Sequence, residues 1–421
     1  MSATQKPTSG LSPRPTDRRP ATTTAASSYY SLSLRDAGAR TRLLAAMAAD
    51  LPSADFLGRE QFSLLDYGSA PQPLFGRLPI SYRMVPLPVR SALLAMLFRR
   101  QQRRVGDTAS PQWPIERALD DARRLHWSEV APASSVTLSA PIYPDGRRAA
   151  VVLTHDIDSR DELDLIDAIR VLERRHDLAS SFGFVPEVTW PQEGQVQRLV
   201  AEGCEVYCHD LRHDGKLPYM PADAIRSALE QVFQRSPWAR SLMPGFRSGQ
   251  LLMSPTLRTV VGELFDFDLS VPDTERGGPY GYAAGCGTVY PYELGSLMEI
   301  PLTLAQDIYV RHVYGLGPAA VLRTWLEKLR YIADVGGVAV LNTHPVWVNP
   351  KRPDMWQAYD AFLANVATDD RLWVTTPAWL VAWLRQRRVG TERTAEAVSD
   401  DGSPPGDEPG RAAHAAPAAV P

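Results

Sequence analysis

The chain has few cysteines and no long apolar stretch. Among 421 residues only Cys204, Cys208 and Cys286 are cysteines, and this small, odd number cannot form the disulfide framework of a secreted scaffold. No run approaches the roughly 18 to 20 apolar residues of a membrane-spanning helix. Residues 1–28 also lack the apolar core of a signal peptide. We therefore expect a protein of a reducing, cytoplasmic compartment.

The sequence also lacks a strong net charge of either sign. Its 45 basic and 48 acidic residues leave a net charge of -3, so nucleic acid is not an expected partner. Lysine is rare, and we interpret the arginine bias as a property of the coding sequence rather than of phosphate binding. With 44% hydrophobic and 22% charged residues, the composition is that of an ordinary globular protein with a large core.

Composition divides the chain into two tails, an accessory region and a main domain. Residues 1–28 are rich in Ser, Thr and Pro, and residues 391–421 in Pro, Gly, Ala and acids, so we expect both tails to be disordered. Residues 29–145 form an accessory region, in which the stretch 88–104 has apolar residues at helical spacing with arginines around them. That stretch fits either peripheral contact with the inner membrane or, as such stripes more often indicate, a helix packed on the main domain.

Residues 146–390 alternate short apolar runs with amphipathic segments, which is typical of β/α units. The predicted strands are 149–154, 180–185, 204–208, 243–247, 267–271, 298–303, 337–343 and 372–375. The predicted helices are 161–176, 194–202, 221–235, 254–264, 317–334, 354–366 and 376–388. This order predicts an α/β fold, a distorted (β/α)7-8 barrel of the glycoside hydrolase/deacetylase type. In such barrels chemistry gathers at the carboxyl ends of the strands.

The first predicted strand leads into two aspartates. The apolar run 149–153 is followed closely by Asp156 and Asp158. Because a strand alternates its side chains, both aspartates share one face with Thr154, while His155 takes the other. Two convergent carboxylates repel each other unless a cation or a shared proton lies between them. Taken alone, the pair is more often a strand end capped by acidic turn residues.

A pair of histidines follows the third predicted strand. His209 and His213 lie four residues apart, a spacing that places two imidazoles on one face of a helical turn, where they can bind one ion. Solvent-facing histidines explain the same spacing equally well when it is considered alone.

Three further strand ends carry polar or charged residues. His344 follows the apolar run 338–340, Arg247 ends an earlier predicted strand, and Asp268 and Asp273 bracket the end of another. As a third histidine at a strand end, His344 is a candidate acid. Loop capping and ion pairing explain the other three residues equally well.

Together these strand ends supply the groups that a hydrolase needs. One carboxylate and two histidines provide the three protein ligands of an open catalytic zinc site. A second, ionised aspartate can accept a proton from water near the metal, and a distal histidine can protonate a leaving amine. The residues therefore predict amide or ester hydrolysis.

In this order the motifs resemble those of the polysaccharide deacetylases, which form carbohydrate esterase family 4 with its nodulation-type deacetylase domain. The resemblance covers about residues 146–390. It implies that Asp156 is the catalytic base and that Asp158, His209 and His213 bind the metal.

The remaining motifs of this family are matched less evenly. Arg247 fits the third motif, although the proline that usually follows it is missing. The segment from Asp268 to Asp273 resembles the fourth motif, in which an aspartate orients the catalytic acid, and the choice between the two stays open. His344 matches the fifth motif as the general acid.

The resemblance also implies a function. The family uses a divalent metal, often Zn²⁺, to remove N- or O-acetyl groups from amino sugars or glycans, and the segment 297–304 resembles members of bacterial surface-polysaccharide pathways. Two alternatives stay open because a fold does not fix a function. One is a catalytically silent glycan-binding or scaffolding protein, and the other is a relative that hydrolyses a non-sugar carbon–nitrogen bond. An all-helical phosphohydrolase is disfavoured by the strand-like runs.

Overall fold

The computed structural model describes residues 84–105, 143–273, 289–294 and 296–386, together with Ser81 and the antiparallel dipeptides 27–28 and 137–138. The expectations for the two tails and for most of the accessory region concern residues outside these ranges. They stay predictions, as do the limits of the main domain.

Among the described residues, nine strands form one sheet. They are β1 (Ala149–Ile157), β2 (Ser181–Phe184), β3 (Glu205–His209), β4 (Gly245–Arg247), β5 (Phe267–Asp268), β6 (Tyr292–Leu294), β7 (Leu297–Glu299), β8 (Val338–Thr343) and β9 (Leu372–Val374). Their order is β8-β1-β2-β3-β4-β5-β7-β6, and β9 pairs with the first residues of β1. All neighbours are parallel except β6 and β7.

The sheet curls into a distorted barrel. Beyond β7 the chain runs next to β8, where the backbone N–H of Leu304 donates to the carbonyl of Val340 at 2.9 Å and Leu304 forms a parallel bridge with Leu341. This bridge joins the two sides of the parallel sheet. The predicted (β/α)7-8 barrel is therefore confirmed, and every predicted strand lies where the sequence indicated.

Helices connect and surround the strands. They are α1 (Leu87–Val105), α2 (Arg160–Leu163), α3 (Ile166–Arg174), α4 (Glu193–Ala201), α5 (Ala222–Arg235), α6 (Ala239–Leu242), α7 (Pro255–Leu264), α8 (Pro318–Val335), α9 (Pro353–Thr368) and a last helix over 377–386. Short 3-10 turns cover Pro144–Gly146, Leu217–Tyr219 and Gly249–Leu251, and a π-helix covers Tyr309–Val313. None of the described helices has the combination of length and apolarity needed to cross a bilayer.

Side-chain alternation along β1 separates two core layers. Ala150 and Val152 face the barrel interior, whereas Val151 and Leu153 face the outer core beneath α8 and α9. The whole strand is buried. Since the interior face continues to Asp156, the same alternation carries this carboxylate to the carboxyl end of the barrel.

Candidate active site

Asp158, His209 and His213 converge on one point at the carboxyl end of the barrel. Oδ1 of Asp158 lies 3.2 Å from Nε2 of His209 and 3.4 Å from Nε2 of His213. Metal–ligand bonds of about 2.0 to 2.2 Å in a tetrahedral site separate neighbouring donors by about 3.3 to 3.6 Å. The imidazole Nδ1 of His209 donates to the carbonyl of Arg247 at 3.0 Å, which leaves Nε2 as the metal-binding atom. The donor set thus fits a divalent metal.

The two histidines are brought together by a bend and not by the helical turn that their spacing suggested. His209 ends β3, and the chain then turns back with positive φ angles of 60° at Asp210 and 52° at His213. Asp210 holds the bend, because its carboxylate accepts hydrogen bonds from the backbone N–H of Leu211 at 2.6 Å and of Gly249 at 3.1 Å. A Cβ at position 249 would lie 2.2 Å from Oδ2 of Asp210, so glycine is needed there.

Asp156 lies beside the candidate metal ligands and is held by a cation. Its Oδ2 is 3.6 Å from Nε2 of His209, and its Oδ1 forms an ion pair with Arg247 at 3.0 Å. Burial opposes the ionisation of Asp156, but Arg247, His209 and His344 outweigh it and lower its pKa below the usual range. Asp156 is therefore an ionised carboxylate that can accept a proton.

Two residues that sequence reasoning missed fix the orientation of Asp156. The hydroxyl of Tyr207 donates to its Oδ1 at 2.6 Å, and the Nδ2 group of Asn342 donates to its Oδ2 at 2.8 Å. Burial raises the pKa of Tyr207 well above its usual value, so the phenol keeps its proton. The Tyr207 ring lies over Gly183, where a Cβ would approach it to 2.3 Å.

A signal for both residues was present in the sequence. Side chains two residues apart on a strand share a face. Tyr207 therefore faces the same way as His209 on β3. Asn342 on β8 lies two residues before His344, which directly follows that strand. Extending the alternation back along each strand would have identified them.

His344 approaches the carboxylates from β8. Its Nε2 lies 3.9 Å from Oδ2 of Asp156 and 3.9 Å from Oδ2 of Asp158. Its Nδ1 lies 2.7 Å from Oδ1 of Asp307, and its backbone N–H donates to Oδ2 of Asp307 at 2.7 Å. Burial opposes the charged imidazolium, but Asp307 outweighs it and raises the pKa of His344 to about 10. His344 is therefore protonated near neutral pH and can donate a proton.

The carboxylate that contacts His344 is Asp307, whereas the sequence-based expectation was that Asp268 or Asp273 orients it. Asp268 accepts a hydrogen bond from the hydroxyl of Ser270, and Asp273 pairs with Nζ of Lys328 at 2.8 Å. Asp307 reaches His344 because the chain beyond β7 runs next to β8, whereas β5 lies on the far side of β7. The signal for it in the sequence was the polar pair 306–307, which follows the mostly apolar segment 300–305.

Glu162 joins two loops of the site and was also missed. Its Oε2 accepts hydrogen bonds from the backbone N–H of Asp158 at 2.8 Å and of Ser159 at 2.7 Å, and its Oε1 accepts one from Val346 at 3.1 Å. One loop carries the metal-ligand candidate Asp158, and the other follows His344. Burial, and then the nearby Asp158, raise the pKa of Glu162 to about 7.

Comparisons with known proteins find resemblance in the fold. No protein-family model and no curated protein sequence matches the chain. A protein from Mycobacterium smegmatis described as a polysaccharide deacetylase is 20% identical with a TM-score of 0.47, and the match covers 61% of this chain and 96% of that one. One from Pseudomonas aeruginosa PAO1 with the same description is 14% identical with a TM-score of 0.49, covering 60% and 96%. Puue allantoinase is 15% identical with a TM-score of 0.48, covering 62% and 95%. At these low identities the resemblance to the three solved structures is one of fold alone.

Proposed function

We propose that the protein is a metal-dependent hydrolase that removes acetyl groups, as N- or O-acyl groups, from an amino sugar or glycan. The observation that carries the proposal is the convergence of Asp158, His209 and His213 at one point. An ionised Asp156 lies 3.6 Å from His209, and a protonated His344 lies 3.9 Å from Asp158. Metal ligands, a base and an acid, which are the groups that metal-assisted acyl hydrolysis needs, thus lie close together.

A divalent ion held by Asp158, His209 and His213, for which Zn²⁺ is our candidate, would acidify water and polarise an acyl carbonyl. Asp156 accepts the proton of the attacking water, because it is ionised and its two oxygens are held in place by Tyr207, Arg247 and Asn342. This fixed orientation spares the carboxylate any rearrangement during the reaction.

His344 supplies the second proton transfer. Its imidazolium donates a proton to the leaving amine or alcohol, and Asp307 stabilises the charged ring until that step. The combination of an ionised base and a protonated acid, set by different neighbours, is the arrangement that acyl hydrolysis near neutral pH requires.

The substrate and its setting rest on the sequence resemblance. An acetylated sugar or glycan of bacterial surface-polysaccharide or cell-envelope metabolism is the substrate that this resemblance favours. Cys204 and Cys208 are buried free thiols, which supports a reducing compartment such as the cytoplasm.

Elemental analysis and acetate release from a panel of acetylated sugars test the proposal together. We expect Asp156→Asn to keep its metal and to lose about 10²- to 10⁴-fold in kcat. We expect Asp158→Asn and His209→Ala to lose the metal itself. His176→Ala is a matched control, because His176 pairs with Asp360 away from the site.

Two outcomes would contradict these assignments. Equal metal loss in Asp156→Asn and Asp158→Asn would remove the distinction between base and ligand. A fully metal-loaded protein that binds glycans saturably but hydrolyses no acetylated sugar would instead be a silent glycan-binding protein.

A further inference from the structure

The helix α1 carries a row of exposed residues along its outer side. Val89, Leu93, Met96, Arg100 and Arg103 follow one another at intervals of four, three, four and three residues, so they share one face. All five are exposed, with exposed fractions of 50% for Val89, 49% for Leu93 and 58% for Met96. We call this row the outer ridge.

The opposite side of α1 packs on the barrel domain. Phe98 and Leu94 contact Tyr309 and Val313 of the π-helix. The Nε2 group of Gln102 donates to the carbonyl of the neighbouring π-helix residue, His312, at 2.8 Å. The rotation of α1 about its axis is therefore fixed, and the outer ridge points away from the domain.

This orientation divides the apolar stripe that the sequence predicted between 88 and 104. Leu94 and Phe98 pack as expected for a docked helix, whereas Val89 and Leu93 remain outside. The sequence offered two alternatives, a membrane-surface helix and a helix packed on the main domain, and neither by itself accounts for both sides of α1. Docking uses one side of α1 and leaves a second apolar surface exposed to a partner.

The charge of α1 indicates what that partner is. The helix contains five arginines and no acidic residue. On the outer ridge the apolar side chains occupy the first half, and Arg100 and Arg103 occupy the second half. Met84, with an exposed fraction of 72%, extends the apolar end. A second copy of the chain would bring two cationic ridges together, which opposes self-association at this face.

We propose that the outer ridge binds the surface of an anionic lipid bilayer. Val89, Leu93 and Met96 would reach below the phosphates, and Arg100 and Arg103 would pair with them, as in helices that lie in the membrane interface. Because the inner side of α1 packs on the barrel domain, the domain would hold the helix parallel to the bilayer surface.

The contact between α1 and the π-helix lies next to the carboxyl end of the barrel. The π-helix that holds α1 begins two residues after Asp307. On the same side, the ring of His312 packs against Trp347 at 4.2 Å, and Trp347 follows His344 by three residues. Membrane binding at the outer ridge thus occurs beside the candidate active site, and it is independent of whether the proposed chemistry is correct.

Vesicle flotation of the full chain tests the proposal, with phosphatidylcholine vesicles prepared with and without phosphatidylglycerol. We expect binding only to the anionic vesicles, and loss of binding at high salt. Arg100→Gln with Arg103→Gln should lower the partition coefficient about 25-fold, because each arginine near the surface contributes about fivefold. Leu93→Ser with Met96→Ser should lower it at least about tenfold.

Matched controls use equivalent residues on other faces. Val171 and Val200 are exposed valines of α3 and α4, and Val171→Ser with Val200→Ser should bind as the wild type does. Arg198→Gln together with Arg235→Gln controls for the loss of two exposed positive charges. Far-UV circular dichroism and thermal melting establish that each variant is folded.

Three results would overturn the proposal. The first is no partitioning of the folded wild type into anionic vesicles at low salt. The second is equal loss of binding in the ridge variants and in their controls. The third is a vesicle-independent dimer that the ridge variants abolish, which would assign the ridge to a second copy of the chain.

Discussion

Asp156 and Asp268 are two buried aspartates at strand ends of one barrel, and their environments differ. Asp156 faces Arg247 at 3.0 Å, and this cation, with the nearby histidines, lowers its pKa despite burial. Burial raises the pKa of Asp268, which lies beside Glu299. Burial and then Asp268 raise the pKa of Glu299 well above its usual value. One aspartate is ionised, whereas the other belongs to a buried carboxyl pair in which both pKa values are raised.

The neighbouring strand accounts for much of this difference. Across the sheet Asp156 lies opposite Gly183, whose missing side chain makes room for Tyr207. Asp268 lies opposite Glu299. The pKa of an aspartate at a strand end is therefore lowered or raised according to the residues that adjacent strands place beside it.

Among the variants that test this comparison, replacement of Asp307 should have the largest effect on kcat. In Asp307→Asn, we expect kcat to fall about tenfold to hundredfold, because the partner that charges and orients His344 is lost. Since Asp307 is the main cause that raises the pKa of His344, the alkaline limb of the pH–rate profile should move to lower pH. Acetate release across the pH range measures both effects.

Asp268→Asn and Asp273→Asn are the matched controls for that experiment. Both carboxyls are buried, yet neither contacts His344 in the hydrogen bonds described above. We expect the alkaline limb of the pH–rate profile of each control variant to lie at the same pH as that of the wild type. A shift in either control, with none in Asp307→Asn, would restore the sequence-based assignment of the orienting residue.

Glu162 is a third buried carboxyl. Its replacement tests whether a buried carboxylate can serve the site through hydrogen bonds alone, without accepting or donating a proton. Glu162→Gln has one carbonyl oxygen where the carboxylate has two, so it cannot hold both loops. We expect about tenfold weaker metal binding, because a group that positions Asp158 is lost. Competition with a chelator measures the metal affinity, and Glu193→Gln on the surface of α4 is the control. Unchanged metal affinity would exclude the positioning role.

The smallest expected effect concerns the carboxyl pair. The folded-state pKa of Glu299 is raised above its ordinary value of 4.5, so its contribution to stability is present below that value and is lost as the pH rises through the folded-state pKa. Glutamine does not ionise. Between about pH 5 and about pH 8, the unfolding free energy of Glu299→Gln should therefore fall less than that of the wild type.

Urea unfolding at several pH values measures this difference, and kcat should stay within about twofold of the wild type because Glu299 lies outside the candidate site. The contribution of Asp156 to the unfolding free energy depends on pH in the opposite direction. Its pKa is lowered, so that contribution is lost as the pH falls. An unfolding free energy that falls more steeply with rising pH in Glu299→Gln than in the wild type would contradict a raised folded-state pKa of Glu299.

The sequence by itself indicated every strand of the large sheet except β6, and it assigned the polar residues at the end of β1 to their faces. Alternation along β1 correctly separated Asp156 and Asp158 from His155, which is buried in the outer layer against Glu173 at 2.8 Å. The strand-end pattern also brought His344 to the same end of the barrel. These features depend on periodicity along the chain, and a single sequence carries that information directly.

Only the tertiary structure decided which strand ends meet. The choice of Asp307 over Asp268 and Asp273 follows from the passage of the chain beyond β7 beside β8, and the approach of His213 to His209 follows from a bend with left-handed residues. The link from Glu162 to Val346 likewise spans 184 residues. Such contacts depend on barrel closure and loop geometry, and local periodicity does not encode them.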